Sequence, residues 1–256
     1  MAIKESRTVH IIAGPTASGK SALALEMAAA QNGVIINADS MQIYEGLPIL
    51  TAQPSEEDKN RAPHRLYAAL HPNDPCSAGL WRAMAIAEIQ TALESGQTPI
   101  ITGGTGFYLK ALMEGLSPIP EIPPAIRAAA VALQKDMGNP GFHAALAARD
   151  PVMAARLHPH HTARLLRAWE VLEATGQSLT NWQAMPRQGP PEGWHFEIRK
   201  ILPPRAELYA RCDARFLQMM EAGALEEARA FQARIDSGEV RPDVLLTHAL
   251  GFHQLI

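Results

Sequence analysis

Short, nearly continuous apolar runs alternate with helical patterns through the first hundred residues. Three runs have the character of buried strands, at 9–13, 34–38 and 99–102. Segments 21–30 and 80–95 between them follow helical patterns. Strands that are apolar throughout and alternate with helices are typical of a parallel sheet covered by helices. The pattern therefore predicts an α/β fold.

The pattern changes after about residue 115. A proline-rich connector, 117–124, precedes segments that are all helical. These predicted helices are 125–136, 140–149, 151–157 and 162–175. After a Pro/Gly-rich stretch, 196–202 has the pattern of a strand that returns to the sheet. We therefore predict an α/β core at 1–116, an all-helical insertion at 117–197 and a return to the core at 198–256.

The strongest chemical signal is an octapeptide between the first predicted strand and the first helix. It matches G-x-x-x-x-G-K-[ST] in full. Chance gives such a match in roughly one random chain in a hundred, before that context is required. Its members are Gly14, Pro15, Thr16, Ala17, Ser18, Gly19, Lys20 and Ser21. Backbone amides and Lys20 are expected to bind phosphate oxygens, and the Ser21 hydroxyl to bind Mg²⁺. The fold class is thus a P-loop NTPase-like sheet with an inserted helical domain.

Asp39 follows the second predicted strand, where open parallel sheets place their ligands. A carboxylate there is positioned to act as a general base. The alternative is that Asp39 caps the next turn.

The third strand runs into Thr102, Gly103, Gly104 and Thr105. A P-loop ATPase usually has an acidic residue at such a strand end to hold its metal and orient water. Its absence favours a transferase over a nucleotide motor or switch. The glycine pair forms a tight turn or lets backbone approach a ligand closely.

Several arginines are candidates for anion binding. Arg205 and Arg211 lie on a predicted helix, as a clamp for a leaving phosphate or as part of a solvated face. Arg164 and Arg167 share one face of another helix. They fall within 151–215, which holds nine basic and six acidic residues, so this third is the candidate face for RNA.

Composition narrows the class further. The chain of 256 residues is 47% hydrophobic and 19% charged, its glycines and prolines have no period, and it contains two cysteines, which rules out low-complexity disorder, collagen and a disulfide scaffold. The net charge of −3 argues against coating of nucleic acid by bulk charge. Cys76 and Cys212 lie far apart and are expected to be reduced thiols. Because no apolar stretch approaches 20 residues and the charged start is unlike a signal peptide, we expect a cytoplasmic protein that does not enter a membrane.

These motifs together resemble the tRNA dimethylallyltransferase family, also called tRNA isopentenyltransferases. The phosphate loop GPTASGKS is followed in order by NADSMQIY, ITGGTGFYLKALMEGLSPIP and RLLRAWEVLEATG. The likeness runs from about Val9 to Gln254. A phosphate loop alone marks many enzymes, but this combination is specific to one family.

The resemblance implies transfer of a dimethylallyl group from dimethylallyl diphosphate to N6 of adenosine 37, next to the tRNA anticodon. It places the diphosphate site on the phosphate loop, with Arg205 as clamp and Arg211 in support. It makes Asp39 the catalytic base and also a tRNA contact, and it adds Thr105 to both the catalytic and the tRNA-contact residues. The other implied tRNA contacts are Ser40, Met41, Gln42, Arg127, Ala163, Arg164, Leu165, Leu166 and Arg167. Mg²⁺ is the expected cofactor, and we expect a monomer.

The chain departs from the family pattern at three places. Segment 50–54 is LTAQP where GTAKP is usual, and Ala163 stands where the family usually has Gln. The sequence ends at Ile256, whereas the family normally continues with a basic helix ending in an aromatic residue, so we expect a truncated end. Two alternatives to an active prenyltransferase stay open: a small-molecule or nucleoside kinase, and an RNA-binding remnant without activity.

Overall fold

The computed structural model describes residues 7–256. The charged start, interpreted above as unlike a signal peptide, falls largely on residues 1–6, outside the described part. The chain divides into two compact units, one of residues 7–113 with 190–256 and the other of residues 114–189. Within the described range, no helix is both long enough and apolar enough to span a membrane.

The first unit is built on a five-stranded sheet in which every pairing between strands is parallel. The strands are β1 (Arg7–Ala13), β2 (Gly33–Asn37), β3 (His64–Arg65), β4 (Thr98–Gly103) and β5 (Trp194–Lys200). Their order across the sheet is β3-β2-β4-β1-β5. The predicted α/β fold with a parallel sheet is confirmed. Strand β3 was not predicted, since two residues are too few to carry a periodic pattern.

Helices cover both faces of this sheet. In chain order the unit contains α1 (Lys20–Gln31), α2 (Glu56–Arg61), α3 (Ala78–Glu94) and α4 (Gly106–Glu114). The helices of the second unit follow in the chain: α5 (Pro124–Arg149), α6 (Pro151–Ala154), α7 (Thr162–Thr175) and α8 (Leu179–Ala184). After β5 come α9 (Arg205–Glu221), α10 (Ala224–Asp236), a 3₁₀ turn (Leu245–His248) and α11 (Phe252–Leu255).

Alternate residues of the strands fill two separate cores. Ile11 of β1 packs in the larger core with Trp81 and Phe231, both fully buried. Its neighbour Ile12 packs on the opposite face with Ala24 of α1. Successive strand residues point to opposite faces, so a sheet covered on both sides requires apolar residues at consecutive positions.

The second unit is helical. Its elements are α5 (Pro124–Arg149), α6 (Pro151–Ala154), α7 (Thr162–Thr175) and α8 (Leu179–Ala184). Gly138, with φ of 64°, breaks α5 just before Pro140, close to the gap that the sequence predicts between two helices. Phe142 and Leu165 are fully buried in the core of this unit.

The observed boundaries differ from the predicted insertion at 117–197. Residues 190–197 lie with the sheet unit, because β5 begins at Trp194 and pairs with Arg7 of β1. At the other end, residues 114–116 lie with the helical unit, where Leu116 forms an antiparallel bridge with Gln188. These pairings join residues far apart in sequence, so composition alone did not place the boundaries.

Candidate active site

The phosphate loop connects β1 to α1, as the sequence predicts. Ala17 and Gly19 adopt left-handed backbone conformations, with φ of 61° and 97°. A side chain at Gly14 would meet the backbone oxygen of Ile201 at 2.5 Å, so this position requires glycine. Helix α1 begins at Lys20, which places the positive end of its dipole at the loop. The loop therefore has the geometry of an anion site.

Lys20 is bound into this loop. Its ammonium donates hydrogen bonds to the backbone oxygens of Gly14 at 2.9 Å and Pro15 at 2.7 Å. Burial lowers the pKa of Lys20, the negative charge of Asp39 opposes that change, and the positive charge of Arg215 adds to it. Asp39 and Arg215 thus both lie close enough to act on the loop lysine.

Asp39 lies two residues after β2 and is held by the fully buried side chain of Asn37, the last residue of that strand. The backbone N–H of Asp39 donates to Asn37 Oδ1 at 2.8 Å. Asn37 Nδ2 donates to the backbone oxygen of Asp39 at 3.0 Å and to the backbone oxygen of Leu66 at 2.9 Å. Asp39 Oδ1 accepts from the Met41 N–H at 2.9 Å, which is the local turn expected of a capping residue. Asp39 Oδ2 faces the neighbouring strand end, where a side chain on Gly104 would lie 3.5 Å from it.

The glycine pair after β4 serves the close approach of two strand ends. A Cβ at Gly103 would overlap the backbone of Ala38, so the strands could not come as close with any other residue. The Thr105 N–H donates to the Ala38 oxygen at 3.1 Å. Thr105 Oγ1 accepts from the Ser40 N–H at 2.9 Å and donates to Ser40 Oγ at 3.3 Å. Three predicted site residues, Asp39, Ser40 and Thr105, are therefore brought together.

Helix α9 brings two arginines to the loop. Arg211 Nη1 donates to the Ser18 backbone oxygen at 3.3 Å. Arg215, one turn further, is half-buried; burial lowers its pKa, while the nearby Cys212 and Asp39 raise it. Arg205 is exposed at the first residue of the helix. Its role as the clamp stays a prediction.

Arg215 was missed by sequence reasoning. Its i,i+4 spacing from Arg211 was the available signal, since these two residues share one helix face.

A small cavity of about 60 Å³ lies beside the first turns of α1. Ser21 and Ala24 of α1, Thr102 at the end of β4, Gln42 and Tyr67 contribute to its walls. Burial raises the pKa of Tyr67, and the negative charge of Asp39 adds to the effect. The Tyr67 phenol is therefore a neutral group able to donate a hydrogen bond at physiological pH.

Segment 50–54, which departs from the family pattern, forms part of the wall of this cavity. Gln42 Nε2 donates to the backbone oxygens of Thr51 and Ala52, each at 2.8 Å. The Glu227 carboxylate of α10 accepts from the N–H groups of Ile49 at 2.8 Å and Leu50 at 2.9 Å. In this structure Gln42, predicted to contact tRNA, holds the segment in place through its amide.

Magnesium fits the oxygen donors at this site. The described residues contain no group of three or more His, Cys, Asp and Glu side chains placed to hold a metal. The histidines at 158, 160 and 161 are close together in the sequence but form no such group. Mg²⁺ usually keeps several waters and takes one or two protein oxygens together with substrate phosphates. The exposed Ser21 on the first turn of α1 supplies an oxygen of that kind.

The predicted tRNA-contact residues of the helical unit lie on α5 and α7. Arg127 and Arg164 are exposed and Arg167 is half-buried. Leu165 is fully buried in the helical core. Its side chain therefore cannot contact RNA, which corrects the tRNA contact predicted for this residue. Its role is to pack the helix that carries the arginines.

A parallel sheet, a glycine-rich loop that leads into a helix, and a carboxylate at the neighbouring strand end define a P-loop protein of the α/β class. Comparison with known proteins gives the particular family. The model of the IPP transferase family matches residues 42–256.

Curated relatives and solved structures agree with this match. The sequence is 51% identical over 251 residues to the tRNA dimethylallyltransferase of Rhodospirillum centenum, covering 98% of this chain and 79% of that protein. It is 53% identical over 245 residues to that of Paramagnetospirillum magneticum, covering 96% and 76%. The crystal structure of the tRNA isopentenylpyrophosphate transferase from Bacillus halodurans matches with a TM-score of 0.63 at 28% identity, covering 97% and 76%. The chain belongs to the IPP transferase family, among the tRNA dimethylallyltransferases.

Proposed function

We propose that this chain transfers a dimethylallyl group from dimethylallyl diphosphate to N6 of adenosine 37 in tRNA. The products are N6-(dimethylallyl)adenosine and diphosphate. The observation that carries the proposal is the placement of Asp39. One oxygen of its carboxylate is used in a local turn and the other faces Gly104, and the charge of Asp39 acts on the loop lysine. Family membership supplies the substrate class.

Asp39 is proposed as the general base. The N6 amine of adenine is a poor nucleophile, because its lone pair is delocalised into the ring. As N6 bonds to the allylic carbon, its proton passes to Asp39 Oδ2 and the carbon–oxygen bond to diphosphate breaks. Asn37 fixes the backbone of Asp39 on both sides, so the carboxylate is held in one orientation before substrate arrives. The target base must leave its stack to reach this site.

The phosphate loop and three cations are proposed to bind the leaving diphosphate. Lys20 lies within the loop, Arg211 contacts its backbone, and the charge of Arg215 acts on Lys20. Groups fixed in advance stabilise charge that develops in the transition state more than they stabilise the substrate. Mg²⁺, held through Ser21, would neutralise part of the charge on the phosphate oxygens. Arg205 remains in the proposal as an additional clamp.

The helical unit is proposed to bind the anticodon stem-loop. Arg127, Arg164 and Arg167 supply guanidinium groups for phosphate oxygens, and recognition of a folded RNA depends largely on shape and backbone. Thr105, Ser40, Met41 and Gln42 are proposed to contact the tRNA near the reacting base. The proposal includes a cytoplasmic location, because tRNA is the substrate, and a monomeric enzyme.

The test is transfer of radiolabelled dimethylallyl diphosphate to an anticodon stem-loop that contains a run of adenines. We expect labelled RNA from the wild-type chain and loss of label for Asp39→Ala. Asp243→Ala is a control that also removes a carboxylate from the first unit, one whose side chain is 83% exposed and lies 4.0 Å from Arg241. Stem-loop binding without transfer would instead support an RNA-binding remnant. Stabilisation by ATP with Mg²⁺, but not by dimethylallyl diphosphate, would support a kinase.

A further inference from the structure

Glu170 is a buried carboxylate that contacts two arginines from different helices. Its side chain is 3% exposed and lies on α7, one turn after Arg167. Glu170 Oε1 lies 3.6 Å from Arg127 Nη1 of α5, and Glu170 Oε2 lies 3.8 Å from Arg167 Nη1. Each carboxylate oxygen therefore has its own guanidinium partner.

The two arginines remain accessible while their shared partner is buried. The Arg127 side chain is 70% exposed and that of Arg167 is 43% exposed. A guanidinium has five N–H donors, so an ion pair on one side leaves donors free for another anion. Two positive charges on one negative charge leave the group with a net charge of +1 on an accessible surface.

The guanidiniums lie close enough to interact with each other. Burial lowers the pKa of Arg167, Glu170 opposes that change, and the positive charge of Arg127 adds to it. Like charges at this proximity repel unless an anion lies between them. Glu170 supplies that anion from within the helical core, where an unpaired carboxylate would be strongly unfavourable.

We infer that Glu170 is a positioning residue, which holds Arg127 and Arg167 as a preformed pair for one or two adjacent phosphates of an RNA backbone. The inference rests on the proposed function, since it requires RNA as the substrate. Arginine is suited to this role because its planar fork matches phosphate oxygens, and ordering it beforehand reduces the entropy lost on binding.

The positioning role predicts a change in RNA affinity opposite to the change that charge alone would cause. Removing a negative charge from a surface that binds RNA should strengthen binding if charge alone matters. If Glu170 orders the two arginines, its removal should weaken binding instead. The variant Glu170→Gln separates these cases, because glutamine keeps the shape of the side chain and removes its charge.

The matched control is Glu173→Gln. Glu173 lies on the same helix and forms an ion pair with Arg149, which is not among the predicted RNA contacts. Its side chain is 45% exposed, so the substitution removes the same charge without disturbing a buried group. Glu173→Gln should bind RNA as tightly as the wild type or slightly more tightly.

The measurement is the affinity of the full chain for an anticodon stem-loop over a series of salt concentrations. We expect Glu170→Gln to bind about five- to tenfold more weakly, with a smaller dependence of affinity on salt, roughly as expected for loss of one phosphate contact. The kcat with saturating RNA should be unchanged while KM for RNA rises. In an Arg127→Ala, Arg167→Ala background, Glu170→Gln should weaken binding no further.

Equal or tighter RNA binding by a folded Glu170→Gln variant would overturn the inference. So would unchanged affinity in Arg127→Ala and Arg167→Ala, since the pair would then not contact RNA. If Glu170→Gln does not fold, by circular dichroism, Glu170→Asp provides the same test: it keeps the charge but withdraws the carboxylate, and should weaken binding. Failure of the proposed function is seen separately, as absence of transfer by a wild-type chain that still binds the stem-loop.

Discussion

The most specific prediction about the proposed catalytic base concerns the side chain of Asn37. Asn37 is fully buried and makes three hydrogen bonds, two to the backbone of Asp39 and one to the oxygen of Leu66. The Trp81 indole donates to the backbone oxygen of Asn37 at 2.9 Å, so it does not depend on the side chain. Asn37→Ala therefore removes the clamp on Asp39 and leaves the neighbouring aromatic contact in place.

The magnitude follows from these bonds. Each contributes about 1 kcal/mol net, so the free energy of unfolding should fall by about 3 kcal/mol. For a protein of this size about 1 kcal/mol shifts Tm by roughly 2–4 °C, which gives a decrease on the order of 6–12 °C. A carboxylate displaced by about 1 Å costs on the order of 100-fold in rate, so kcat should fall roughly 10- to 100-fold. KM for the stem-loop should change less than kcat, because the proposed arginine contacts do not involve Asn37.

The assay combines thermal unfolding with dimethylallyl transfer below the Tm of the variant. Asn73→Ala is the matched control, since Asn73 Nδ2 donates to the Glu239 oxygen and its Oδ1 accepts from the Arg241 N–H, each at 2.9 Å. Both variants should lose stability, but only Asn37→Ala should lose kcat per folded molecule. An Asn37→Ala enzyme that is less stable yet fully active would refute the positioning role. Unchanged stability would refute the estimate from hydrogen bonds.

Two further predictions concern the two units separately. Burial lowers the pKa of Lys20 from its usual 10.5, so its charge is lost at a lower pH than usual. The affinity for inorganic diphosphate should therefore fall as the pH rises toward 10. Calorimetry should show a smaller fall for Lys20→Ala, in which only the ionisation of the diphosphate itself remains, and equal pH profiles for the two proteins would contradict the role of the ammonium. Phe142→Ala should destabilise the helical unit by about 3–5 kcal/mol, since Phe142 is fully buried there. Hydrogen exchange should show this loss in α5 and α7 while diphosphate binding by the sheet unit persists, and unchanged protection of those helices would contradict it.

The sequence by itself determined the features that depend on local spacing. Periodicity predicted the parallel sheet and the helical insertion, since each element is defined by residues close together in the chain. The phosphate loop was predicted for the same reason, and Asp39 was placed at a strand end because the strand before it is continuous and apolar. Local turn chemistry was also legible, as the bond from Met41 to the Asp39 carboxylate shows.

The tertiary structure decided everything that depends on which distant residues meet. Arg211 and the loop oxygen that it contacts are 193 residues apart, so only the packing of α9 could show that Arg211 touches the loop and that Arg215 acts on Lys20. The insertion ends before residue 190, rather than at 197, because β5 pairs with β1. The sequence shows Glu170 as one more helix acid with Arg167 one turn before it, and its second partner, Arg127, became visible only when α5 packed on α7. The spacing of residues along the chain determines on which face of a helix or strand a side chain lies. Its burial and its partners are determined by the elements that pack against that face.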